Sequence, residues 1–551
     1  MGGEGTGWAA AAFKKTAMVV DAALAGGVEY PAMGRFYITT PIYYVNDVPH
    51  IGHAYTTAAA DVAARFHRQL GDEVFFLTGT DEHGSKVEQA AAARGLSPKE
   101  HADQMVEKFK EVARKIEASN DFFIRTTDPE HERFVQEFVQ RIYDAGYIYK
   151  STYAGLYCPA CEAYYNEADL VNGLCPDHGV APVCMKEENY FFRLSAFQKR
   201  LADHYRTHPD FVRPRHRYNE ALAFIDQGLA DISISRATLK WGIKVPWDEA
   251  QVIYVWVDAL VNYLSALTYA RDENLLARFW PATYHIMAQD ILKFHGVIWP
   301  ALLMAAGYEL PKHLFIHGYL KLGGEKMSKT RGNVMDPFPL IEQYGADSFR
   351  FYCLREVNFG QDGIVSEESF KARYNAELAN ELGNLLSRTA GMIGKYRGGV
   401  VPALPLERPA EVSPLAVEAE SVCRAVREGL WDMDLSGALE SAWTFVRRLN
   451  RYVEEIAPWR LAKQAAAGGR EGDQAKAALD AALWDLAEGL RLLSVLLYPF
   501  MPATALAMRT QLGLPPCSER QGPLWEEARW GVLPGGTALG ESAALFPRIE
   551  E

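Results

Sequence analysis

The sequence predicts an α/β fold, a doubly wound parallel (Rossmann-type) sheet that is interrupted by a cysteine-bearing insertion and followed by a C-terminal α-helical bundle. Three observations carry this expectation. Strand, helix and strand patterns follow one another between residues 35 and 84, paired cysteines cluster near 150–185, and only helical periodicity remains from about residue 365.

In chain order, "RFYITTPIYYV" at 35–45 is β-branched and aromatic and reads as a strand. "HIGHAYTTAAADVAARFHRQLG" then opens a helix, and "DEVFFLTGTDEHG" gives a second strand with a polar exit. A strand that feeds a helix N-terminus and then another apolar strand opens a sheet whose ligands bind beyond the strands' carboxyl ends, where both "HIGH" and "TDEHG" fall. Charged helical sequence is expected to about residue 148. Apolar strand runs resume at "VIYVWVDALVNYLSAL" (252–267), "TYHIMAQDILKFHGVIWPALLMAA" (283–306) and "HLFIHGYLKL" (313–322), so the sheet is interrupted and then completed. A Gly-rich segment, "LGGEKMSKTRGN", follows. "ELANELGNLLSRTAGMIGKY" and "ALDAALWDLAEGLRLLSVLL" belong to the bundle, with "QAAAGGREG" as a loop inside it.

At 551 residues, 49% hydrophobic and 23% charged, the chain is globular and too long for one core, which suggests roughly three or four domains. The net charge of −13 argues against a general nucleic-acid coat and leaves local basic patches open. The most apolar stretch, "LLSVLLYPFMPATALAM" at 492–508, holds two prolines and falls short of the roughly 20 residues of a membrane helix, so it reads as a buried core helix and its exit. Residues 1–33 read as a poorly ordered extension. They contain no Arg or Ser and include Glu4 and Asp21, unlike a transit peptide, and Met33 directly precedes the patterned sequence, which allows an early start codon as their origin. Seven cysteines in a chain this long do not make a disulfide scaffold, and a reducing compartment fits.

With Pro49 in a first helical turn, His50 and His53 lie on one side of that turn, where unpaired N–H groups and the helix dipole favour a phosphate; Gly52 lets a flat ring approach the backbone. Two satisfied surface histidines are the plainer alternative. Lys326 and Lys329 lie three apart between Gly323, Gly324 and Gly332. Such a pair is usually just solvated, but after the last strand of a nucleotide-type sheet a loop of this kind can fold over a triphosphate and place cations where charge develops. Cys158, Cys161, Cys175 and His178 read C-x2-C, thirteen residues, C-x2-H, the spacing of a tetrahedral zinc knuckle, with Cys184 as a rival fourth ligand and metal-free buried cysteines as the bland reading. Four ligands leave no open position, so one structural zinc would fix an insertion too small to fold well alone.

"HIGH" at 50–53 and "KMSKT" at 326–330 resemble the two signatures of class I aminoacyl-tRNA synthetases. The text around them, "FYITTPIYYVNDVPHIGHAYTTAAADV", "FFLTGTDEHG", "YVWVDALVNY" and "APWRLAK", resembles the methionine-specific family among them, in its bacterial or organellar form with a single zinc knuckle. The likeness runs from residue 34 to about 510. Thr330 stands where the signature usually ends in Ser, which keeps the hydroxyl. The resemblance divides the chain into a first catalytic half (34–148), a connective insertion with the knuckle (149–215), a second catalytic half (216–322), the lysine loop with a stem-contact region (323–375) and an anticodon-binding helical domain (376–551).

The resemblance implies attack of the methionine carboxylate on the α-phosphate of ATP, loss of pyrophosphate, and transfer of methionyl to the terminal adenosine of tRNA(Met), the initiator included. Amino-acid carboxylates are already ionised at pH 7, so the first step needs no general base. It makes His50, Gly52, His53, Lys326, Ser328 and Lys329 the ATP contacts, and both histidines and both lysines the catalytic donors, with Mg2+ accompanying ATP. Tyr44, Trp256, Ala259, Leu260, Tyr263 and His295 match the family's methionine pocket, and Asp81 matches the carboxylate that receives the ammonium. From pattern alone Trp256 and Tyr263 read as core and His295 as structural. Ala288 and Gln289 depart from a Gly-Lys pair the family often shows; Lys293 stands on the same predicted helix. Asn384, Arg388 and Trp459 align with readers of the CAU anticodon, where residues alone give a helix surface pair and a core tryptophan. His178 is the fourth ligand in the single-knuckle form. The family's appended tRNA-binding or dimerising domain is not seen, so a monomer is expected, with no membrane span, in the cytoplasm or, for a eukaryotic source, an organelle. Another class I synthetase and an inactive tRNA-binding paralogue are the competing readings.

Overall fold

Phe36 and Ile38 on one side of the first strand, and Tyr37 on the other, are buried in separate apolar cores. Coverage on both faces is what a parallel sheet inside flanking helices requires. The computed structural model describes residues 34–158, 163–165, 167, 170–176, 179–271, 274–323, 325–326, 335–403, 413–515, 522 and 524–550.

The central sheet has six strands: β1 (Arg35–Tyr44), β2 (Glu73–Asp81), β3 (Phe122–Arg125), β4 (Val212–Arg213), β5 (Tyr284–Ala288) and β6 (His313–His317). Their order is β3-β2-β1-β5-β6-β4, and every neighbouring pair is parallel. The order therefore reverses between β1 and β5, which opens a crevice at their carboxyl ends. Helix α1 (Ile51–Gln69) links β1 to β2, α2 (Pro98–Lys115) precedes β3, and α3 (Pro129–Asp144) follows it. The interruption is an antiparallel sheet in which Ile148–Cys158 pairs along Val183–Phe192.

Beyond it come α4 (Arg215–Asp226) and α5 (Val255–Tyr269). The C-terminal region includes α6 (Ala346–Glu356), α7 (Asn384–Arg397), α8 (Leu435–Ile456), α9 (Pro458–Ala465), α10 (Gly469–Leu496) and α11 (Pro502–Gln511). Residues of α1, α6, α8 and α10 share one apolar core, while α3, α5 and the insertion pack on the sheet's other face. No helix among the described residues is long and apolar enough to cross a membrane.

Four expectations are corrected. The run at 252–267 is chiefly helix α5, not a strand, because an apolar run buried all round has no period to separate the two states. The charged stretch before residue 148 contains β3, an edge strand too short to announce itself. Pro49 lies outside the first turn of α1, since His50 is the cap. Helical structure largely stops at Gln511: among the described residues after it only Trp525–Glu527 is helical, and Ala538 bridges back to Val400.

A buried ion cluster joins α1 to the helical region. Asp61 lies 2.6 Å from Arg65 Nε and 2.7 Å from Arg350 Nη1, and also accepts from the Ser119 amide at 2.6 Å. Arg350 in turn donates to the carbonyls of Phe500 and Pro499, each at 2.8 Å. Its two arginines hold the Asp61 carboxyl well below the usual carboxylate range, against the opposing effect of burial.

Candidate active site

Helix α1 begins where β1 ends, and its first turn is closed by two imidazoles. The Gly52 amide donates to His50 Nδ1 at 3.1 Å, and the His50 amide donates to His53 Nδ1 at 3.0 Å, a capping box built from histidines. A nitrogen that accepts an N–H carries no proton, so each neutral ring bears its hydrogen on Nε2 and presents a donor there. The rings lie 3.9 Å apart, with Tyr43 and Phe109 set edge-on around His53. A Cβ on residue 52 would stand 2.9 Å from His50 Cε1, so the flat ring that requires glycine is His50's own.

The distant segment returns to the same helix. The hydroxyl of Thr56 on α1 lies 2.8 Å from Nε2 of His317, the last residue of β6. Past β6 the chain forms a hairpin in which Lys326 pairs with Lys321. The Ile51 amide of α1 donates to the Met335 carbonyl at 3.0 Å. The chain is thus tied to α1 at His317 before the lysine loop and at Met335 after it. The Lys326 side chain, Ser328 and Lys329 lie outside the described residues.

Tyr44 and Asp81 are in register at the carboxyl ends of β1 and β2. Trp256, Ala259, Leu260 and Tyr263 recur on one face of α5, and His295 lies in a π-helical turn, Phe294–Ile298. The Ile291 carbonyl accepts from His295 Nδ1–H at 3.0 Å, so Nε2 is the acceptor for the Tyr263 hydroxyl at 2.8 Å. Burial holds the His295 imidazole down at about 4, a neutral ring at pH 7. Trp256 stacks on Phe294 at 3.8 Å and stays partly exposed. Trp256, Tyr263, Phe294 and His295 thus form an aromatic cluster with one polar relay.

Sequence reasoning missed several residues around this cluster. Glu82 takes bidentate hydrogen bonds from Arg125, both at 2.8 Å, and His83 reaches Asp258 on α5 at 2.7 Å. A lone carboxylate in the apolar run "YVWVDALVNY" was the available signal, because a buried charge needs partners. At the departure from Gly-Lys, Gln289 accepts from Arg217 on α4, whereas the Lys293 ammonium lies over the Phe224 ring at 4.6 Å.

Cys158 and Cys175 are buried, while Cys161 and His178 lie outside the described residues; Cys184 is exposed. Among the described residues no group of three or more His, Cys, Asp or Glu could hold a metal. In the helical region Asn384 is exposed, Arg388 pairs with Glu454 at 2.6 Å near the end of α8, and Trp459 opens α9 at 42% exposure, so the core reading of this tryptophan is wrong.

Fold and crevice together define a class I tRNA synthetase: residues 36–182 and 170–390 match the profile described as tRNA synthetases class I (M), and the chain belongs to that family. Two of its relatives carry the methionine specificity. It is 46% identical over 516 residues to the methionine–tRNA ligase of Caldanaerobacter subterraneus subsp. tengcongensis, covering 94% of this chain and 79% of the relative. To that of Streptomyces coelicolor it is 44% identical over 538 residues, covering 96% and 99%. The solved structure of Mycobacterium tuberculosis methionyl-tRNA synthetase in complex with methionyl-adenylate superposes with a TM-score of 0.87 at 41% identity, over 94% of this chain and all of that one.

Proposed function

We infer that the chain is a methionine–tRNA ligase, which forms methionyl-adenylate and pyrophosphate from methionine and ATP and then charges the terminal adenosine of tRNA(Met), the initiator included. The observation that carries this is the pair of Nε2–H donors capping α1 beside the β1/β5 crevice, on the same sheet edge as the aromatic cluster.

The chemistry asks for positioning and charge stabilisation, since the attacking carboxylate is already ionised. His50 and His53 donate through Nε2 to phosphate oxygens, with Gly52 keeping the first ring seated. Lys326, Ser328 and Lys329 close over the phosphates, Lys329 supplying the largest single effect, about 3 kcal/mol or a hundredfold in rate by comparison with other oxyanion donors. Asp81 receives the substrate ammonium. Tyr44, Trp256, Ala259, Leu260 and Tyr263 enclose the side chain, and His295 fixes the Tyr263 hydroxyl. Mg2+ accompanying ATP would supply neutralisation of phosphate charge, beside the donors of His50, His53, Lys326 and Lys329. Three thiolates and an imidazole suit zinc, so Cys158, Cys161, Cys175 and His178 would hold one structural ion. Asn384, Arg388 and Trp459 read the anticodon by base-edge hydrogen bonds and stacking. The six-part division of the chain, a monomeric state and a cytoplasmic setting of the bacterial type complete the reading; an organelle is the alternative for a eukaryotic source.

Amino-acid-dependent exchange of pyrophosphate into ATP, run with each amino acid in turn, tests it. Exchange with methionine is expected. Exchange with valine or cysteine alone would make this another class I synthetase, and no exchange at all an inactive tRNA-binding paralogue.

A further inference from the structure

One helix supplies four of the cleft's residues, and its opposite face is gripped by a buried polar cluster. On α5, Trp256, Ala259, Leu260 and Tyr263 share one side; Asp258 and Ser265, two turns apart, lie on the other. His131 of α3 spans that interval, with Nε2 2.8 Å from Asp258 Oδ1 and Nδ1 2.7 Å from Ser265 Oγ. The second Asp258 oxygen, Oδ2, lies 2.7 Å from His83 Nδ1. His83 stands two residues beyond Asp81, on the strand end that also carries the ammonium site. His83, His131, Asp258 and Ser265 are all buried.

We propose that Asp258, held by His83 from the β2 exit and by His131 from α3, is a positioning residue that fixes the rotation of α5 and so the depth of the methionine cleft. Apolar packing alone tolerates rotation and sliding, because dispersion contacts are weakly directional. Two hydrogen bonds from two elements onto one carboxylate, with a third to the same helix two turns later, leave one seating. The clamp also ties the helix that contacts the amino-acid side chain to the strand end that contacts its ammonium, so both halves of the amino acid are measured from one point. His83 and His131 meet α5 on the side opposite Trp256 and Tyr263 and act through Asp258, with Glu132 flanking His83 at 3.7 Å.

The inference rests on the ligase reading, and steady-state pyrophosphate exchange separates the two. His131→Ala should raise the KM for methionine by about tenfold to a hundredfold, the range a misplacement near 1 Å produces, and leave the KM for ATP within about twofold. His131→Gln, whose amide can still donate to Asp258, should recover most of the loss, and Asp258→Asn, which cannot accept from both histidines, should resemble His131→Ala. Equal rises in both KM values, an unchanged methionine KM in His131→Ala, or no recovery in His131→Gln would overturn the positioning role while the ligase reading stands. Absence of methionine-dependent exchange in the wild type would overturn both. Should His131→Ala fail to fold, the comparison of Asp258→Asn and His131→Gln with the wild type carries the same test.

Discussion

An imidazole is an uncommon helix cap, since Ser, Thr, Asp and Asn cap with fewer atoms. What histidine adds is a second nitrogen: Nδ1 satisfies the helix amides while Nε2 remains a donor. His50→Ser should therefore keep helix stability within about 1 kcal/mol while lowering exchange about a hundredfold, read as melting temperature against exchange rate. In the cleft, Tyr263→Phe leaves His295 Nε2 buried without its donor, a cost of about 1–3 kcal/mol on a denaturant curve, with a raised methionine KM. The pH dependence follows from His295. Its folded-state value, about 4, lies below the ordinary 6.5, so the neutral ring's contribution is complete above 6.5 and is lost as pH falls toward 4. That loss is one of folding stability; in the folded protein the ring protonates only near pH 4, so methionine KM should be insensitive to it from pH 9 down to about 5 and rise as the pH nears 4.

Helices and strands were legible where period and length agreed. β1, α1 and β2 stand close to where alternation and capping residues put them. α5 was not legible, because it is apolar on nearly every face and only Asp258 betrays a polar grip inside it. β3 was hidden by its brevity, and the pairing of Asp258 with two histidines far away in sequence has no local pattern at all. The turn between α8 and α9 shows the same limit. Ala457 there has φ 48°, a left-handed backbone that glycine adopts without strain, so Ala457→Gly should stabilise by about 0.5–1 kcal/mol in a thermal melt. Two residues on, the exposed Trp459 buries little. Trp459→Ala should shift stability by less than about 0.5 kcal/mol and leave exchange intact, yet weaken tRNA charging by the loss of about 1–3 kcal/mol of stacking.

At the scale of the molecule, Arg35–Glu551 forms one compact unit, and the Asp61 cluster stands where the sheet's first helix meets the helical region. Removing Arg350 leaves Asp61 with one arginine in place of two and takes the donor from the Phe500 and Pro499 carbonyls, so Arg350→Ala should cost about 3–5 kcal/mol by denaturant titration. Asp61 titrates below its ordinary value, so its contribution is full above about pH 4 and disappears as pH falls further; the wild type should lose stability there more steeply than Asp61→Asn. The link from the Ile51 amide to the Met335 carbonyl has a different character, because it joins main chain to main chain. Side chains on either lip can drift through many generations without touching it, and at residue 51 only proline deletes the donor. The bond between residues 51 and 335 therefore depends on main-chain atoms that every side-chain substitution but proline retains, so the distance between these two points of the chain is set by backbone rather than by the residues around it.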